Sequence, residues 1–386
     1  MAKLIDICDI QYGYAFDSAC FTEDSSYPPL VRIRDVTRGF SETFYSGNYP
    51  KEYVIHAGDL LVGMDGEFNI ARWKSADALL NQRVCKLSTK EGTNEEYLRF
   101  AMVKALKAVE DKTAFVTVKH LSAKELNKLE LDIPDIEEQN LRAECLARLE
   151  RVIDFREEEL KCLDNLIKAR FVELFGDITT GSYKYETKKL GDVANVGSSH
   201  RVFTTEFVDS GIPFYRGTEI GELANGLKPT KTYYISEQHY NRLTSDDTKP
   251  QIGDLLMPSI CNKGQVWMVN TDEPFYYKDG RVLCISPNKK IFNTKYLEYF
   301  MRAKTLIEYP KLGSGSTFAE FKIFSVKDMD VLIPPREVQK RFADFVNQID
   351  KSKVLSETHI FYAEKSITPT TQEIFLKGRC IYGNEF

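Results

Sequence analysis

The chain has 386 residues, a formal net charge of −5 and 42% hydrophobic residues, which excludes wholesale disorder and argues against a simply basic nucleic-acid binder. At roughly 100–200 residues per domain, this length suggests about two or three domains. No run approaches the ~18 consecutive apolar residues of a membrane span. Asp6 and Asp9 interrupt the start, where a signal peptide would be apolar. We therefore expect a cytoplasmic protein with no membrane contact.

The acidity and the cysteines narrow the class of protein further. Residues 135–175 carry seven basic and eleven acidic side chains, a net −4 that leaves only −1 for the rest of the chain. The rest can therefore bind DNA if its basic groups cluster on one face. The eight cysteines form no CxxC pair, and no histidine lies at zinc-ligand spacing. Reduced, mostly buried thiols and no metal site are expected.

An internal repeat organises the whole chain. Its four landmarks occur in the same order in both copies, at an offset that grows from 186 to 195, 199 and 200. They are KLIDI at 3–7 with KLGDV at 189–193, AGDLL at 57–61 with IGDLL at 252–256, YLRFAMVKAL from Tyr97 with YLEYFMRAKTL from Tyr296, and LDIPDIEEQ at 131–139 with VLIPPREVQ at 331–339. Such a period is far longer than a solenoid repeat, so each copy is predicted to be a folded unit.

Each copy begins with a mixed region. In copy one, short apolar runs at 30–33, 60–64 and 82–87 end at turn-forming or polar residues and predict strands. Apolar residues over Glu95–Val109 share one face, which predicts a helix. Gly-Asp at 58–59 and 253–254 is typical of a turn that feeds a strand. The fold class is therefore predicted to be α+β, with two repeated α/β domains.

A long helix follows each mixed region. Over residues 135–175, apolar side chains at alternating spacings of three and four predict a coiled-coil seam, from which Arg156 and Arg170 depart. The seam residues are Leu146, Leu149, Ile153, Leu160, Leu163, Ile167 and Leu174. An amphipathic helix lying on its own domain is the alternative, although the acidic run at 157–159 favours a protruding helix.

The second long helix starts in the same way after Pro334-Pro335 and weakens near Lys351–Lys353. Pro369 cannot lie inside a straight helix, so a break is expected near Thr368-Pro369. Two such helices in one chain can bury their seams against each other. The pattern therefore predicts an antiparallel coiled coil that joins two globular domains, with boundaries at 1–134, 135–180, 181–334 and 335–386.

Motifs of catalysis are not found. The sequence has no GxxxxGK[ST], HExxH or GxSxG, and no acidic residue or Asn before Pro-Pro-aromatic as many DNA amino-methyltransferases require. No catalytic residue is assigned. The polar residues favour recognition instead: if 30–33 is a strand, Arg32 and Arg34 share a face, and amide and guanidinium groups near residue 82 can contact base edges or phosphates. Any one of them is also compatible with an ordinary solvated surface.

The candidate DNA-binding residues form two sets. Those of copy one are Arg32, Arg34, Arg38, Asn81, Gln82, Arg83, Lys112, Thr113, Thr117 and Lys119. Those of copy two are His200, Arg201, Tyr215, Arg216, Thr218, Lys263, Lys278, Arg281, Ser314, Ser316 and Thr317.

Together, the duplicated layout, KLGDV, GDLL before a strand, NQR after it, YLEYF, GSGST and IPPREVQKRF resemble the specificity subunit of type I DNA restriction-modification systems. The resemblance covers nearly the whole chain. It implies a non-catalytic subunit in which each mixed region recognises one half of a split, asymmetric site on double-stranded DNA. It also implies helical spacers that dock two methyltransferase subunits, which two restriction (translocase) subunits then join.

In that family the partners use S-adenosylmethionine, ATP and Mg²⁺, and this chain is expected to bind none of them. Two other classes stay open at this point. One is a coiled-coil scaffold that binds proteins through duplicated adaptor domains, and the other is an enzyme with an unrecognised site. The neighbouring genes, or an activity of the isolated chain, would separate these hypotheses.

Overall fold

A computed structural model describes residues 1–66, 68–112, 120–246, 248–312 and 319–367. The chain divides into two compact units. Unit 1 combines Met1–Glu159 with the described residues that follow Leu355, and unit 2 is Leu160–Leu355. Each unit therefore contains one mixed region and a part of both long helices.

Unit 1 is a mixed structure of short strands and helices. Its strands are β1 (Ala2–Lys3), β2 (Cys8–Tyr12), β3 (Phe21–Thr22), β4 (Leu30–Val31), β5 (Phe44–Tyr45), β6 (Val54–Ile55), β7 (Leu60–Gly63), β8 (Asn69–Arg72), β9 (Ala78–Leu80), β10 (Val84–Thr89) and β11 (Glu130–Leu131). Its helices are α1 (Leu4–Ile7), α2 (Ile33–Arg38), α3 (Glu95–Lys112), α4 (Ala123–Asn127) and the first part of α5 (Ile136–Phe175).

Two sheets carry this mixed region. An antiparallel sheet has the order β2-β10-β7-β8, and a second sheet has the order β4-β9-β6, in which β4 and β9 are parallel. One core cluster lies where the first sheet meets α3. It includes Leu60, Val62, Cys85, Leu87, Leu98, Met102 and Leu106. The predicted helix over Glu95–Val109 and the strands within 60–64 and 82–87 are confirmed.

The strand predicted over 30–33 is wrong beyond Val31. Asp35 is fully buried, and its carboxylate accepts a hydrogen bond from the backbone N–H of Arg32 at 2.9 Å. This bond caps the start of α2, so the chain turns into a helix at Ile33. Arg32 and Arg34 therefore do not share the face of a strand.

Unit 2 repeats this layout. Its strands are β12 (Gly176–Asp177), β13 (Ser182–Tyr183), β14 (Thr187–Lys189), β15 (Ala194–Gly197), β16 (Ile212–Tyr215), β17 (Tyr233–Ile235), β18 (Leu255–Pro258), β19 (Trp267–Met268), β20 (Tyr276–Tyr277), β21 (Val282–Pro287) and β22 (Asp330–Leu332). Its helices are the second part of α5, then α6 (Leu190–Val193), α7 (Gly217–Ala224), α8 (Glu237–Leu243), α9 (Thr294–Glu308), α10 (Ile323–Lys327) and the first part of α11 (Arg336–Ile367).

The sheets of unit 2 correspond to those of unit 1. The antiparallel sheet has the order β15-β21-β18-β19, and the smaller sheet β17-β16-β20 again contains one parallel pair, β16 with β20. The Gly-Asp turns also match, with φ of +96° at Gly58 and +92° at Gly253. In each turn the aspartate carboxylate accepts a backbone N–H three residues earlier at 2.8 Å. The predicted turns are therefore confirmed.

The long helices pack antiparallel within each unit. In unit 2, the Phe342 ring lies 5.4 Å from both Phe171 and Phe175, and Lys353 pairs with Asp164. In unit 1, the Ser356 hydroxyl donates to Glu159 at 2.8 Å. The predicted seam residues of α5 are buried or half-buried. In unit 2, Leu163, Ile167 and Leu174 belong to the same apolar cluster as Phe342, Val346 and Ile349 of α11, and this contact holds the two helices together there.

The two arginines that depart from the seam are accommodated by charge. Arg156 and Arg170 each donate to a glutamate one turn further on, Glu159 and Glu173, at 2.7 Å. Arg170 also lies 5.8 Å from the ring centroid of Phe345. The expected break at Thr368-Pro369 lies outside the described residues.

Candidate nucleic-acid interface

In unit 1, two candidate residues leave the small sheet side by side. Val31 of β4 pairs with Leu80 of the parallel strand β9, so the next residues, Arg32 and Asn81, follow the carboxyl ends of neighbouring strands. The Asn81 side chain accepts the backbone N–H of Gln82 at 2.8 Å, which shapes the turn. Polar groups thus meet at one edge of the sheet.

The two arginine side chains of α2 differ in how firmly neighbouring carboxylates hold them. The Arg34 side chain is 58% exposed, with its Nε 3.7 Å from the Asp35 carboxylate. Arg38 is held by Asp35 at 3.4 Å and by Glu42 at 2.8 Å, and its guanidinium lies 4.2 Å from the centre of the Phe40 ring. Arg34 is therefore better placed than Arg38 to meet a ligand.

Arg83 lies in the turn between β9 and β10. Its carbonyl accepts the backbone N–H of Met64 at 3.0 Å, and its Nε lies 3.2 Å from the Asp65 carboxylate. His120 is hydrogen-bonded to the same carboxylate. The guanidinium is half exposed, so this ion pair orients it without burying it.

Unit 2 contains the equivalent of the Arg32 site. Tyr215 of β16 pairs with Tyr277 of β20, so Arg216 and Lys278 follow the carboxyl ends of two parallel strands. The buried Glu219 accepts from both the backbone N–H and Nη2 of Arg216 at 2.8 Å, which caps α7. Burial alone would raise the pKa of Glu219, but the bonds from Arg216 outweigh it and lower that pKa.

Arg281 is the equivalent of Arg83. Its carbonyl accepts the backbone N–H of Ser259 at 2.9 Å, and its guanidinium pairs with Glu320. Lys322 holds the same carboxylate at 2.9 Å. Hydrogen bonding by Lys322 is the main cause that lowers the pKa of Glu320. Each mixed region therefore presents one arginine that a carboxylate from a neighbouring loop keeps in place.

The other candidates of unit 2 are more scattered. His200 Nε2 lies 2.7 Å from Asp246, and this contact is the main cause that lowers the pKa of Asp246 to about 2. Arg201 pairs with Asp279 at 3.3 Å, next to Lys278. The Tyr215 ring lies 5.3 Å from Phe275, inside an apolar cluster.

Thr218 is exposed in the first turn of α7, and Lys263 is exposed in the loop before β19. The side chain of Lys112 lies outside the described part of the structure, together with Thr113, Thr117, Lys119, Ser314, Ser316 and Thr317.

Sequence reasoning missed the carboxylates that hold these cations. It selected basic, amide and hydroxyl groups. The carboxylates of Asp65, Asp246, Asp279 and Glu320 nevertheless orient four of the selected basic side chains. A signal was available for Glu320, which lies only three residues beyond the GSGST run. An isolated Asp such as Asp65 gave no such signal.

The structure also indicates how reactive the thiols are. Burial raises the pKa of Cys8 and Cys284 to about 12 and that of Cys261 to about 11, which makes these thiols inert. Cys145 and Cys162 are exposed on α5. Among the described residues, no group of His, Cys, Asp and Glu is arranged to hold a metal ion. Within the same residues, no helix is long and apolar enough to cross a membrane.

The duplicated frame matches known proteins. The family model for the type I restriction modification DNA specificity domain matches residues 1–165 and 183–360. The chain belongs to this family. It is 38% identical over 398 residues to the EcoBI specificity subunit of Escherichia coli, covering 96% of this chain and 83% of that protein. It is 21% identical over 351 residues to the MjaVIII specificity subunit of Methanocaldococcus jannaschii, and this match covers 85% of this chain and 80% of that protein.

Solved structures agree on the fold of this specificity subunit. An S subunit from M. genitalium gives a TM-score of 0.55 at 12% identity, covering 95% of this chain and 93% of that chain. A chain from a study of complex assembly and conformational transition in a type I system gives a TM-score of 0.57 at 18% identity. The match covers 97% of this chain and 96% of that chain. The chain is therefore the DNA-recognition component of a type I restriction-modification system and not its enzyme.

Proposed function

We propose that mixed region 1 (residues 1–134) and mixed region 2 (residues 181–334) each recognise one half of a bipartite, asymmetric site on double-stranded DNA. One observation carries this proposal: the same frame occurs twice with different side chains at equivalent places. Arg32 corresponds to Arg216, but Arg34 corresponds to Thr218, and Asn81 to Lys278. Different contact groups on one frame select different base sequences.

Arg83 and Arg281 are the strongest candidates for base contacts within this proposal. An arginine fork that a carboxylate already orients loses less side-chain entropy when it binds, and its remaining N–H groups can meet guanine O6 and N7. Asp65 and Glu320 supply that orientation. Arg34, exposed and more loosely held, is suited to a phosphate contact.

The long helices are proposed to dock two methyltransferase subunits. Each unit exposes apolar side chains on both helices, an arrangement that favours protein contacts. Those of unit 1 are Leu141, Val152, Phe155, Phe361 and Tyr362, and those of unit 2 are Leu166, Val172, Val354 and Leu355. Phe155 and Leu355 occupy equivalent positions in the repeat, 200 residues apart. An exposed apolar position that both copies share suits two copies of one partner.

In the assembly proposed here, two restriction (translocase) subunits join the methyltransferase subunits. S-adenosylmethionine, ATP and Mg²⁺ would be used by these partners. This chain would supply the choice of DNA sequence and the surface for assembly.

An exchange of the mixed regions tests the proposal. Sequencing of methylated bases in the host gives the natural motif, and a variant then carries a copy of residues 181–334 in place of 1–134. Because both mixed regions would then be the same, the methylated motif should become symmetric and consist of two copies of one natural half-site. The reciprocal exchange is the matched control and should give two copies of the other half. If either motif stays asymmetric, the assignment of one half-site to each region is wrong.

A further inference from the structure

Each mixed region is attached to the long helix that leaves it by a buried glutamine. In unit 1, Gln139 in the first turn of α5 is 1% exposed, and its Oε1 accepts the backbone N–H of Asn94, just before α3, at 2.9 Å. Its Nε2 donates to the carbonyls of Gly92 at 3.1 Å and Pro134 at 2.8 Å. One side chain thus joins the start of α3, the end of the preceding strand segment and the start of α5.

The same attachment occurs in unit 2. Gln339 is fully buried, and its Oε1 accepts the backbone N–H of Asn293, just before α9, at 2.7 Å. Its Nε2 donates to the carbonyls of Ile291 at 2.9 Å and Pro334 at 2.7 Å. A buried amide with three directed bonds fixes both position and angle, because loss of any one bond leaves a buried polar group unpaired.

A second attachment lies eleven residues further along each helix. Eleven residues are about three turns, so this point is about 16 Å away and on the same face as the glutamine. In unit 1, Arg99 of α3 makes a bidentate pair with Glu150 of α5, at 2.9 and 2.6 Å. In unit 2, Lys295 of α9 lies 3.2 Å from Asp350 of α11.

The charges of this second attachment are exchanged between the two copies. At the second residue of α3 and of α9, unit 1 has Glu96 and unit 2 has Lys295. One turn later on the same helices, unit 1 has Arg99 and unit 2 has Glu298. In both units the basic residue of the pair reaches the acid on the long helix. The geometry of the attachment is therefore the same although the residues that make it differ.

Two attachments on one helix face prevent a domain from swivelling. We infer that Gln139 with the Arg99–Glu150 pair, and Gln339 with the Lys295–Asp350 pair, are positioning residues for DNA recognition. They hold each mixed region at one angle on its helix, and thereby restrict the protein to a single gap length between half-sites. This inference rests on the proposed bipartite recognition. A purely structural role would change the affinity for all DNA alike.

The test uses the full chain and a set of duplexes built on the motif found by methylation sequencing. The two half-sites stay constant, and the gap between them has its natural length or is one base pair longer or shorter. A wrong gap obliges the DNA to twist or bend, so wild type should bind these duplexes about tenfold or more weakly. Gln139→Met keeps the volume but removes three hydrogen bonds, and should reduce this ratio to about threefold or less. The penalty for a base change inside a half-site should stay the same.

Variants of the partly buried ion pair between Arg99 and Glu150 give a second line of evidence that leaves Gln139 and its three hydrogen bonds unchanged. Arg99→Glu places a carboxylate against Glu150 and should also relax the choice of gap. Glu96 also pairs with Arg72, whose equivalent in unit 2 is Met268. The triple variant R72M/E96K/R99E therefore reproduces the charges of unit 2, and it should restore the tenfold ratio. Arg148→Met is the matched control, because Arg148 pairs with Glu144 on its own helix and its side chain is exposed.

The outcomes separate this inference from the proposed function. Wild type that binds all gap lengths equally would overturn both. Wild type that selects one gap, with Gln139→Met and Arg99→Glu selecting it equally well, would overturn the positioning role alone. A uniform loss of affinity in these variants, with the gap ratio unchanged, would also overturn the positioning role. So would failure of R72M/E96K/R99E to restore a ratio that Arg99→Glu has lost.

Discussion

Lengthening both long helices together should widen the gap between half-sites. The insertion is one heptad in each helix: a copy of residues 153–159 after Glu159 and a copy of residues 349–355 after Leu355. These points lie where each helix passes from one unit to the other. Every contact within a unit, such as Ser356 with Glu159 and Lys353 with Asp164, then keeps its register.

The size of the effect follows from helix geometry. Seven residues add about 10 Å of α-helix, which is about 3 base pairs of DNA at ~3.4 Å each. Three base pairs also rotate DNA by roughly 100°, whereas a coiled coil turns by only about 25° over that length. One added heptad should therefore give a longer gap with weaker binding. Three added heptads, about 31 Å or about 9 base pairs, come close to a full DNA turn and should recover most of the affinity.

Selection from duplexes with randomised gap length measures the preferred gap length and the affinity at once. The interpretation that the long helices set the gap length is refuted if the one-heptad variant still prefers the natural gap with wild-type affinity. A heptad inserted in α5 alone is the control. It displaces Glu159 from Ser356 and forces the α11 seam out of register, so it should lose bipartite binding rather than change the gap.

Three further outcomes are expected. Phe342→Ala removes a fully buried ring from the core of unit 2, and it should lower the free energy of unfolding, measured by urea titration, by about 3–5 kcal/mol. A loss under about 1 kcal/mol would contradict the packing described. In the folded chain, maleimide should modify the exposed Cys145 and Cys162 before the buried thiols, as peptide mass mapping would show, and equal rates would contradict the assigned burial. Arg83→Ala and Arg281→Ala should each relax one position of a different half-site at a cost of about 1–3 kcal/mol, whereas a uniform loss and a salt slope reduced by about one would indicate phosphate contacts.

The elements that sequence predicted best depend on long patterns. Period and length identified α3 and α5 to within a few residues, because a stripe of apolar side chains persists through many turns. The repeat also predicted that the two units share one layout. Local rules failed where a single buried group decided the backbone. Asp35 turned an alternating, strand-like segment into a helix start, and nothing in its neighbours signals that it is buried.

The candidate interface was predictable only in part. Cations after short strands could be selected from the sequence, and the structure gathers Arg32, Asn81 and Arg83 at or beside the carboxyl edge of one parallel strand pair. Their ion-pair partners could not be selected, because Asp65 and Glu320 come from loops whose approach depends on the tertiary fold. The seam arginines show the same limit, since Arg156 finds its partner Glu159 one turn further along the helix.

The two copies also indicate what each part of the frame is for. Gln139 and Gln339 each accept one backbone N–H and donate to two backbone carbonyls, and they lie where a mixed region joins its long helix. At the parallel strand ends, by contrast, Asn81 in one copy is Lys278 in the other. A protein that recognises two different sequences at one fixed separation needs identical joints and different contact surfaces. That division is the pattern found here: the buried amides are the same, the ion pairs keep their geometry while exchanging their residues, and the exposed edges differ.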